Sequence, residues 1–476
     1  MTSDRPGLGR DLSQKAAWSM GAQAVSLVAG LAVVIITARV VGPAGLGEWR
    51  FAQAIAAYVL VFGDLGLSSY ATREIARDPS SRYRLLVPAL VTRVVVSAVV
   101  GALALIALVV FSASPSQLVV TAVVVAAALL AAATPLFLLQ GQERIATAAM
   151  VRIVAQVVAA VLAIGFVLQT AEILPVVLAY FIGAAVSAVW TLYLAARDGC
   201  LRLPRSMLRA MAVLASSGLP FLGTAVSIQV LTNGDSFLLG LLRGPEELGL
   251  YAAPYAVASY IMLVGGAIMA AIFPRVARVS VDGGSGVAVL IADVAAVNGS
   301  IGIPVALGGM LLSATLMPGL FGPAYAGEGP VFALLMAYPL LGYLNLTIGQ
   351  TLAATGGERP AFAVAGIAAG LNIVLNLWLI PPFGRLGCAI AVAVTEVVSL
   401  LLYAVVTPGS LRGPTFSGYV SIVPVAVVMG LAVAAANYLG WPWFVGVATG
   451  AVVFVAAAAA ARPRAYRLLR DAVRSA

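Results

Sequence analysis

The 476-residue chain has no histidine and only two cysteines, and only 9% of its residues are charged. Without histidine, the chain has no imidazole for a proton relay or a metal site. Cys200 and Cys388 are isolated and form no Cys-x-x-Cys pair, so neither a structural disulfide nor a thiol site is expected. No Walker A pattern occurs, so we do not expect the chain itself to hydrolyse ATP.

The hydrophobic content of 62% determines the class of protein. Soluble domains carry roughly 25% charged residues, far more than this chain does. The apolar runs are continuous rather than alternating, which excludes a β-barrel and predicts an all-α polytopic membrane protein. About fourteen transmembrane helices are predicted, at roughly 16–41, 48–70, 87–112, 117–139, 147–169, 174–196, 211–241, 250–274, 287–319, 329–354, 360–381, 386–406, 418–439 and 442–461.

The distribution of positive charge predicts the orientation. With a cytoplasmic N-terminus, 22 of the 27 lysines and arginines fall on the cytoplasmic side and four on the other. Because cytoplasmic loops are enriched in lysine and arginine, both termini are predicted to be cytoplasmic, in the cytoplasmic membrane. The net charge of +9 then reflects topology, and no nucleic-acid partner is expected. The apolar run 16–41 is too long for a signal-peptide core and is predicted to be an uncleaved first span.

A repeated turn predicts two parallel halves. Gly42-Pro43-Ala44-Gly45-Leu46-Gly47 returns as Gly244-Pro245-Glu246-Glu247-Leu248-Gly249, at an offset of 202 residues. Both turns fall on the predicted outer side, six spans apart, so the halves are expected to be related by an axis along the membrane normal. The predicted domains are an N-terminal lobe of six spans (1–209), a C-terminal lobe of six spans (210–410), and two appended spans with a basic tail (411–476).

Four acidic residues within or near spans are candidates for ion coupling, because ionisable groups in a membrane are costly and usually face the bundle interior. Glu396 lies near the middle of a span, and Asp293 and Asp235 lie about two turns from span ends. Asp235 either serves function or caps a local break at Asn233-Gly234-Asp235. Asp64 either serves function or caps a helix end.

Four arginines are candidates for binding an anionic substrate, since the guanidinium group suits phosphate. Arg39 and Arg50 flank the first Gly-Pro turn, on the side where positive charge is disfavoured. A surface ion pair with Glu48 is the alternative explanation for them. Arg93 and Arg152 lie inside or near spans, and either could instead extend to the cytoplasmic surface.

The order and spacing of several segments resemble those of the polysaccharide (Wzx-type) flippases, in the multidrug/oligosaccharidyl-lipid/polysaccharide exporter superfamily. The resemblance extends over the first twelve predicted spans and is most specific in the eleventh. The segments that carry it are ARVVGPAGLG (38–47), GDLGL (63–67), DSFLLG (235–240), LNIVLNLWLIPPFG (371–384) and Thr395-Glu396.

The resemblance implies two six-helix lobes around a central cavity that work by alternating access. It implies a transporter, not an enzyme, that moves an undecaprenyl-pyrophosphate-linked oligosaccharide to the outer leaflet for surface polysaccharide synthesis. The four arginines would then take the pyrophosphate head, and the acidic residues would carry a coupling proton or sodium ion, with no other cofactor. Implied partners are membrane lipids, a polysaccharide polymerase and glycosyltransferases.

Three alternatives remain open from the sequence. A drug/cation antiporter of the same superfamily would have acidic rather than arginine-lined cavity walls. A lipid II flippase shares the implied fold, but its arginine-rich first loop is not evident here. A membrane glycosyltransferase or ligase would need a large outer loop, whereas every predicted outer loop is short.

Overall fold

The computed structural model describes residues 6–111, 113–204, 206–281, 286–461 and 463–467. Within these residues the regular structure is helical, which confirms the predicted all-α class. Two 3₁₀ segments occur, at Pro79–Ser81 and Pro323–Glu328. The α-helices are α1 (Pro6–Asp64), α2 (Leu67–Arg77), α3 (Arg82–Val110), α4 (Pro115–Ala132), α5 (Leu136–Gly141), α6 (Ile145–Thr170), α7 (Ile173–Arg197), α8 (Met207–Arg243), α9 (Pro245–Val281), α10 (Gly286–Phe321), α11 (Gly329–Leu335), α12 (Ala337–Ala354), α13 (Glu358–Val406), α14 (Gly409–Val420), α15 (Val423–Tyr438) and α16 (Trp443–Ala461).

In the described part of the chain, twelve helical segments are long and apolar enough to cross a membrane. The protein is therefore a multi-pass membrane protein. Helices α1 and α13 each contain two helical segments that meet at a glycine with non-helical backbone angles, Gly42 in α1 and Gly384 in α13, so each covers two predicted spans. The 49 residues of α13 would extend roughly 74 Å at 1.5 Å per residue, more than twice the hydrocarbon thickness of a bilayer. A count of fourteen crossings, with the kinks as turns, remains a prediction.

The two repeated Gly-Pro turns have the same backbone geometry. Gly42 adopts φ 83° and ψ −177°, and Gly244 adopts φ 86° and ψ 179°. Side chains with a Cβ rarely tolerate this region, so glycine is required at both positions. The following proline has a fixed φ and no N–H, which suits the first turn of a helix. The sequence repeat thus corresponds to a repeated backbone conformation.

The turns also pack against each other. A Cβ on Gly47 would lie 1.7 Å from the carbonyl oxygen of Pro245, and a Cβ on Gly249 would lie 1.7 Å from that of Pro43. The two backbones therefore touch in a reciprocal contact that only glycine permits, of the kind that brings membrane helices close together.

The described residues form two compact units that divide between Gly249 and Leu250. One end of the first unit contains an apolar core, formed by residues of α2, α3, α5, α7 and α8. Its fully buried members include Ala71, Ile75, Leu86 and Cys200. The division shows where the chain separates into compact units, and it does not test the predicted boundary between repeats at 209/210.

In the second unit, tyrosines join helices through backbone acceptors. The hydroxyl of Tyr343 on α12 donates to the carbonyl of Ile261 on α9 at 2.5 Å, and that of Tyr419 on α14 donates to the carbonyl of Leu340. Both hydroxyls would otherwise be unsatisfied in an apolar core.

Candidate functional site

The first polar site lies where α1 ends. Asp64 is the last residue of α1, and its carboxylate accepts hydrogen bonds from the backbone N–H (3.2 Å) and hydroxyl (2.5 Å) of Ser68 in α2. The carboxylate thus bonds to a backbone N–H in the first turn of α2, while the residue at the N-cap position of that helix is Gly66. The same carboxylate also has an arginine partner: Nε of Arg93 on α3 lies 2.9 Å from Oδ1 of Asp64.

Arg93 is enclosed on its other sides. It is only 9% exposed, it donates from a terminal nitrogen to the carbonyl oxygen of Thr134 at 3.2 Å, and its guanidinium lies 5.7 Å from the ring centre of Phe137. A predicted substrate residue and a predicted coupling residue thus form one ion pair. Because the pair is enclosed, each charge needs the other: removing one would leave the remaining charge without a compensating partner. A phosphate could bind Arg93 only by competing with Asp64.

The other three candidate arginines lie on more open surfaces. Arg39 precedes the kink of α1 and is exposed, and Arg152 on α6 is exposed as well. Arg50 is partly buried and donates to the side-chain oxygen of Gln53 at 3.0 Å. The expected partner Glu48 accepts a hydrogen bond from the hydroxyl of Ser116 at 2.7 Å. Their role in substrate binding remains a prediction.

Asp235 lies in an uninterrupted helix, contrary to the expected local break at residues 233–235. It is 2% exposed, and its Oδ1 accepts from the backbone N–H of Ser236 at 2.9 Å. The neighbouring Phe237 packs against Tyr58 and Phe51 of α1, with ring centres 5.5 and 6.0 Å apart. This packing stabilises helical backbone through the Asn-Gly-Asp sequence, because tertiary contacts outweigh the weak helix propensity of those residues.

The second polar site surrounds Glu396 on α13. The side-chain amide of Asn345 on α12 donates to Oε2 of Glu396 at 2.7 Å and to its backbone carbonyl at 3.0 Å. Asn345 is buried, and its own Oδ1 has no hydrogen-bond partner within the described residues. The site therefore combines a carboxylate with an unused amide oxygen.

Two asparagines near Glu396 were not predicted as site residues from the sequence. Asn372 and Asn376 lie four residues apart on one face of α13, and Nδ2 of Asn376 donates to Oδ1 of Asn372 at 2.9 Å. Nδ2 of Asn372 lies 3.5 Å from the hydroxyl oxygen of Thr395, next to Glu396. Asn376 is fully buried, and its Oδ1 lacks a partner among the described residues. The spacing of two asparagines by four residues in an apolar run was the available signal.

Asp293 contacts a different part of the chain. Its Oδ1 accepts from Nε of Arg464, in the segment that follows α16, at 2.5 Å, and the same arginine donates to the carbonyl of Val289 at 3.1 Å. A second ion pair, Nε of Arg385 with Glu328 at 2.8 Å, involves an almost fully buried carboxylate. Both ion pairs join segments that are distant in the sequence, as expected of contacts that stabilise the fold. The coupling role of Asp293 remains a prediction.

The chain is similar in sequence to known proteins. A putative O-antigen transporter of Escherichia coli (strain K12) is 26% identical over 383 residues, which cover 76% of this chain and 89% of that protein. A probable low-salt glycan biosynthesis flippase of Haloferax volcanii is 26% identical over 171 residues. That match covers only 36% of the length of each protein.

Solved structures share the fold at low sequence identity. The lipid II flippase MurJ in an inward closed conformation superposes with a TM-score of 0.70 at 14% identity, over 96% of this chain and 99% of that one. A multidrug-resistance transporter of the MATE family, inward-facing, gives a TM-score of 0.57 at 14% identity over 84% of this chain. The family model described as "Polysaccharide biosynthesis protein" matches residues 12–280, more than half of the chain. The protein therefore belongs to the polysaccharide biosynthesis protein family.

Proposed function

We propose that the protein is a flippase that moves a lipid-linked oligosaccharide across the cytoplasmic membrane for the synthesis of surface polysaccharide. The observation that carries the proposal is the match to the O-antigen transporter over 89% of that protein's length, within the matched family. The described helices supply the membrane-spanning body that such transport needs. The proposed activity is transport, not catalysis, and both termini are proposed to face the cytoplasm.

The proposed substrate is an oligosaccharide on undecaprenyl pyrophosphate. Its head group is strongly anionic, which suits guanidinium groups because they bind phosphate with two parallel hydrogen bonds. Arg39, Arg50 and Arg152 are exposed or partly exposed and so are accessible to a ligand. Arg93 would contribute only in a state in which Asp64 has another partner. Polysaccharide polymerases and glycosyltransferases are proposed as functional partners.

Energy for transport is proposed to come from a proton or sodium gradient acting at Glu396. A carboxylate beside the unused amide oxygen of Asn345 offers oxygen ligands of the kind that hard cations prefer. Protonation of the carboxylate would likewise change the hydrogen bond that it accepts from Asn345. Asp235, buried in α8, is the second proposed coupling residue.

A deletion strain tests the function. Loss of the gene should trap the oligosaccharide lipid on the inner leaflet and reduce surface polysaccharide, and the wild-type gene should restore both. The readouts are mass spectrometry of extracted lipids and gel analysis of the polysaccharide. Normal polysaccharide in a deletion strain without a paralogue would contradict the proposal.

The alternatives give different results in the same strain. A drug/cation antiporter would raise resistance to cationic drugs on expression and leave polysaccharide unchanged. A lipid II flippase would be essential for cell-wall synthesis, and its depletion would accumulate lipid II instead of the oligosaccharide lipid.

A further inference from the structure

An arginine-lined pocket lies at the end of the first unit where α2 and α3 meet the start of α8. Its volume is about 400 Å³. It is lined by α2 and the first turn of α3, and by the connection from α7 to α8 with the first two turns of α8, so it lies beside two connections between membrane-crossing helices. Because such connections lie at a membrane face, the pocket is at the bilayer surface. We call it the arginine pocket, and its lining includes Tyr70, Glu74, Arg84, Ser206 and Arg209.

The pocket has an excess of positive charge. Arg84 and Arg209 are exposed, and neither has a carboxylate within 4.0 Å among the described residues. The pocket's carboxylate, Glu74, already lies 3.5 Å from Arg73 and 3.6 Å from Arg77. Its charge is thus shared by two other arginines and does not neutralise the two that line the pocket.

The acidic residue nearest in sequence to Arg84, Asp78, lies close enough to feel its charge, but the two form no ion pair within 4.0 Å among the described residues. Asp78 accepts hydrogen bonds from the hydroxyl and backbone N–H of Ser80 at 2.6 and 2.9 Å, as the cap of a 3₁₀ turn. A further guanidinium, that of Arg202, lies 4.5 Å from the ring centre of Tyr83 and adds to the positive surface beside the pocket.

Exposed leucines accompany these charges. Leu203 and Leu208 are each 81% exposed, although they flank the arginine pocket on the chain between Arg202 and Arg209. Leucines so exposed at a water-facing loop are unfavourable, whereas at a bilayer surface they can lie in the acyl region while the arginines stay at head-group level.

The floor of the pocket is formed by buried residues. Leu85 and Leu214 line it and belong to the buried core of this end of the unit, together with Ala71 and Ile75 of α2. The backbone that carries Arg84 and Arg209 is therefore held in place, and a ligand would not need to order it. The pocket thus offers two exposed guanidinium groups that have no carboxylate within 4.0 Å among the described residues, beside an apolar rim.

We propose that the arginine pocket binds the phosphate group of an anionic membrane phospholipid, with Arg84 and Arg209 contacting the phosphate and Leu203 and Leu208 contacting the acyl chains. Arginine pairs suit phosphate oxygens by geometry and charge, and anionic lipids are concentrated by basic surfaces at the membrane. This site is separate from the residues proposed for transport and does not depend on the proposed function.

The test measures binding to the full-length protein in a zwitterionic detergent. Three probes are titrated: phosphatidylglycerol, phosphatidylcholine with the same chains, and soluble glycerol phosphate. The readouts are the midpoint of thermal unfolding and lipid adducts in native mass spectrometry. Phosphatidylglycerol alone is expected to raise the midpoint, and the effect should shrink in 0.5 M salt because screening weakens exposed charge pairs.

Variants assign the effect to the pocket. Arg84→Gln with Arg209→Gln should weaken phosphatidylglycerol binding by about tenfold or more, since two charge-assisted hydrogen bonds are lost. Arg84→Lys with Arg209→Lys should retain part of the binding. The matched control, Arg197→Gln with Arg359→Gln, removes the same charge from other exposed positions and should bind as the wild type does.

Each contrary result is distinct. An equal effect of phosphatidylcholine would show a non-specific lipid effect and overturn the proposal. An equal effect of glycerol phosphate would show that the phosphate, not the lipid, is recognised. Unchanged binding in the glutamine variant, or equal loss in the control, would remove the assignment to this pocket. A polyprenyl phosphate that binds at least tenfold more tightly than phosphatidylglycerol would reassign the site to the transported lipid.

Discussion

Alanine in place of Gly47 or Gly249 is expected to force the two Gly-Pro turns apart. In each case the added Cβ would lie 1.7 Å from a backbone carbonyl oxygen of the opposite turn, whereas real Cβ atoms essentially never approach within 3.0 Å. The backbones must therefore separate by about 1.3 Å, the difference between those two distances. Because the obstacle is backbone, no side-chain rotation can relieve the overlap.

The expected cost is that of overpacking, about 1–3 kcal/mol for each single variant. For a unit of this size, about 2 kcal/mol corresponds to a fall of roughly 4–8 °C in the midpoint of unfolding. The double variant should fall by less than the sum of the two singles, since one separation makes room for both added methyl groups.

Thermal unfolding of the purified protein, followed by intrinsic fluorescence, measures these midpoints. Gly165→Ala is the matched control: it is a helical glycine in the same unit, and nothing lies within 4 Å of the added Cβ. That variant should be neutral or slightly stabilising, by about 0.5–1 kcal/mol at most. If Gly47→Ala behaves like Gly165→Ala, or if the two turn variants are strictly additive, the reciprocal contact does not exist as described.

Two further predictions concern the polar sites. Arg93→Gln should destabilise the protein by about 2 kcal/mol or more, somewhat below the value for a fully buried pair because Asp64 is 23% exposed, and adding Asp64→Asn should restore part of the loss in a thermal double-mutant cycle. Additive losses would mean that the pair is not coupled. Glu396→Gln keeps an acceptor for the Asn345 amide, so the unfolding midpoint should stay within about 1 °C while transport in vesicles loses its dependence on the ion gradient. Retained gradient dependence would exclude Glu396 as the coupling group.

Much of the fold could be predicted from the sequence because a bilayer acts on each segment separately. A run of about 20 apolar residues must become a helix in lipid, whatever its neighbours are. The all-α membrane class followed from this requirement and is confirmed. The repeated Gly-Pro turn could also be predicted from the sequence, because the φ values of Gly42 and Gly244 exclude most other residues.

The candidate sites were only partly predictable. Asp64 and Arg93 were selected separately, for opposite roles, and nothing in the sequence paired them. Asn345 was not selected at all, and its partner Glu396 lies 51 positions away. A polar residue in an apolar run can be recognised from sequence, but its partner cannot, because many positions on other helices are equally available.

Properties of single segments thus followed from the sequence alone: the membrane-crossing helices and the repeated turn. Partnerships between helices came only from the tertiary structure. It decided that Gly47 and Gly249 touch opposing backbones, that Asp64 meets Arg93, and that Arg84 and Arg209 share one pocket. The physical reason is that hydrophobicity and backbone preference act within a few residues, whereas side-chain contacts depend on how helices distant in the sequence pack against each other.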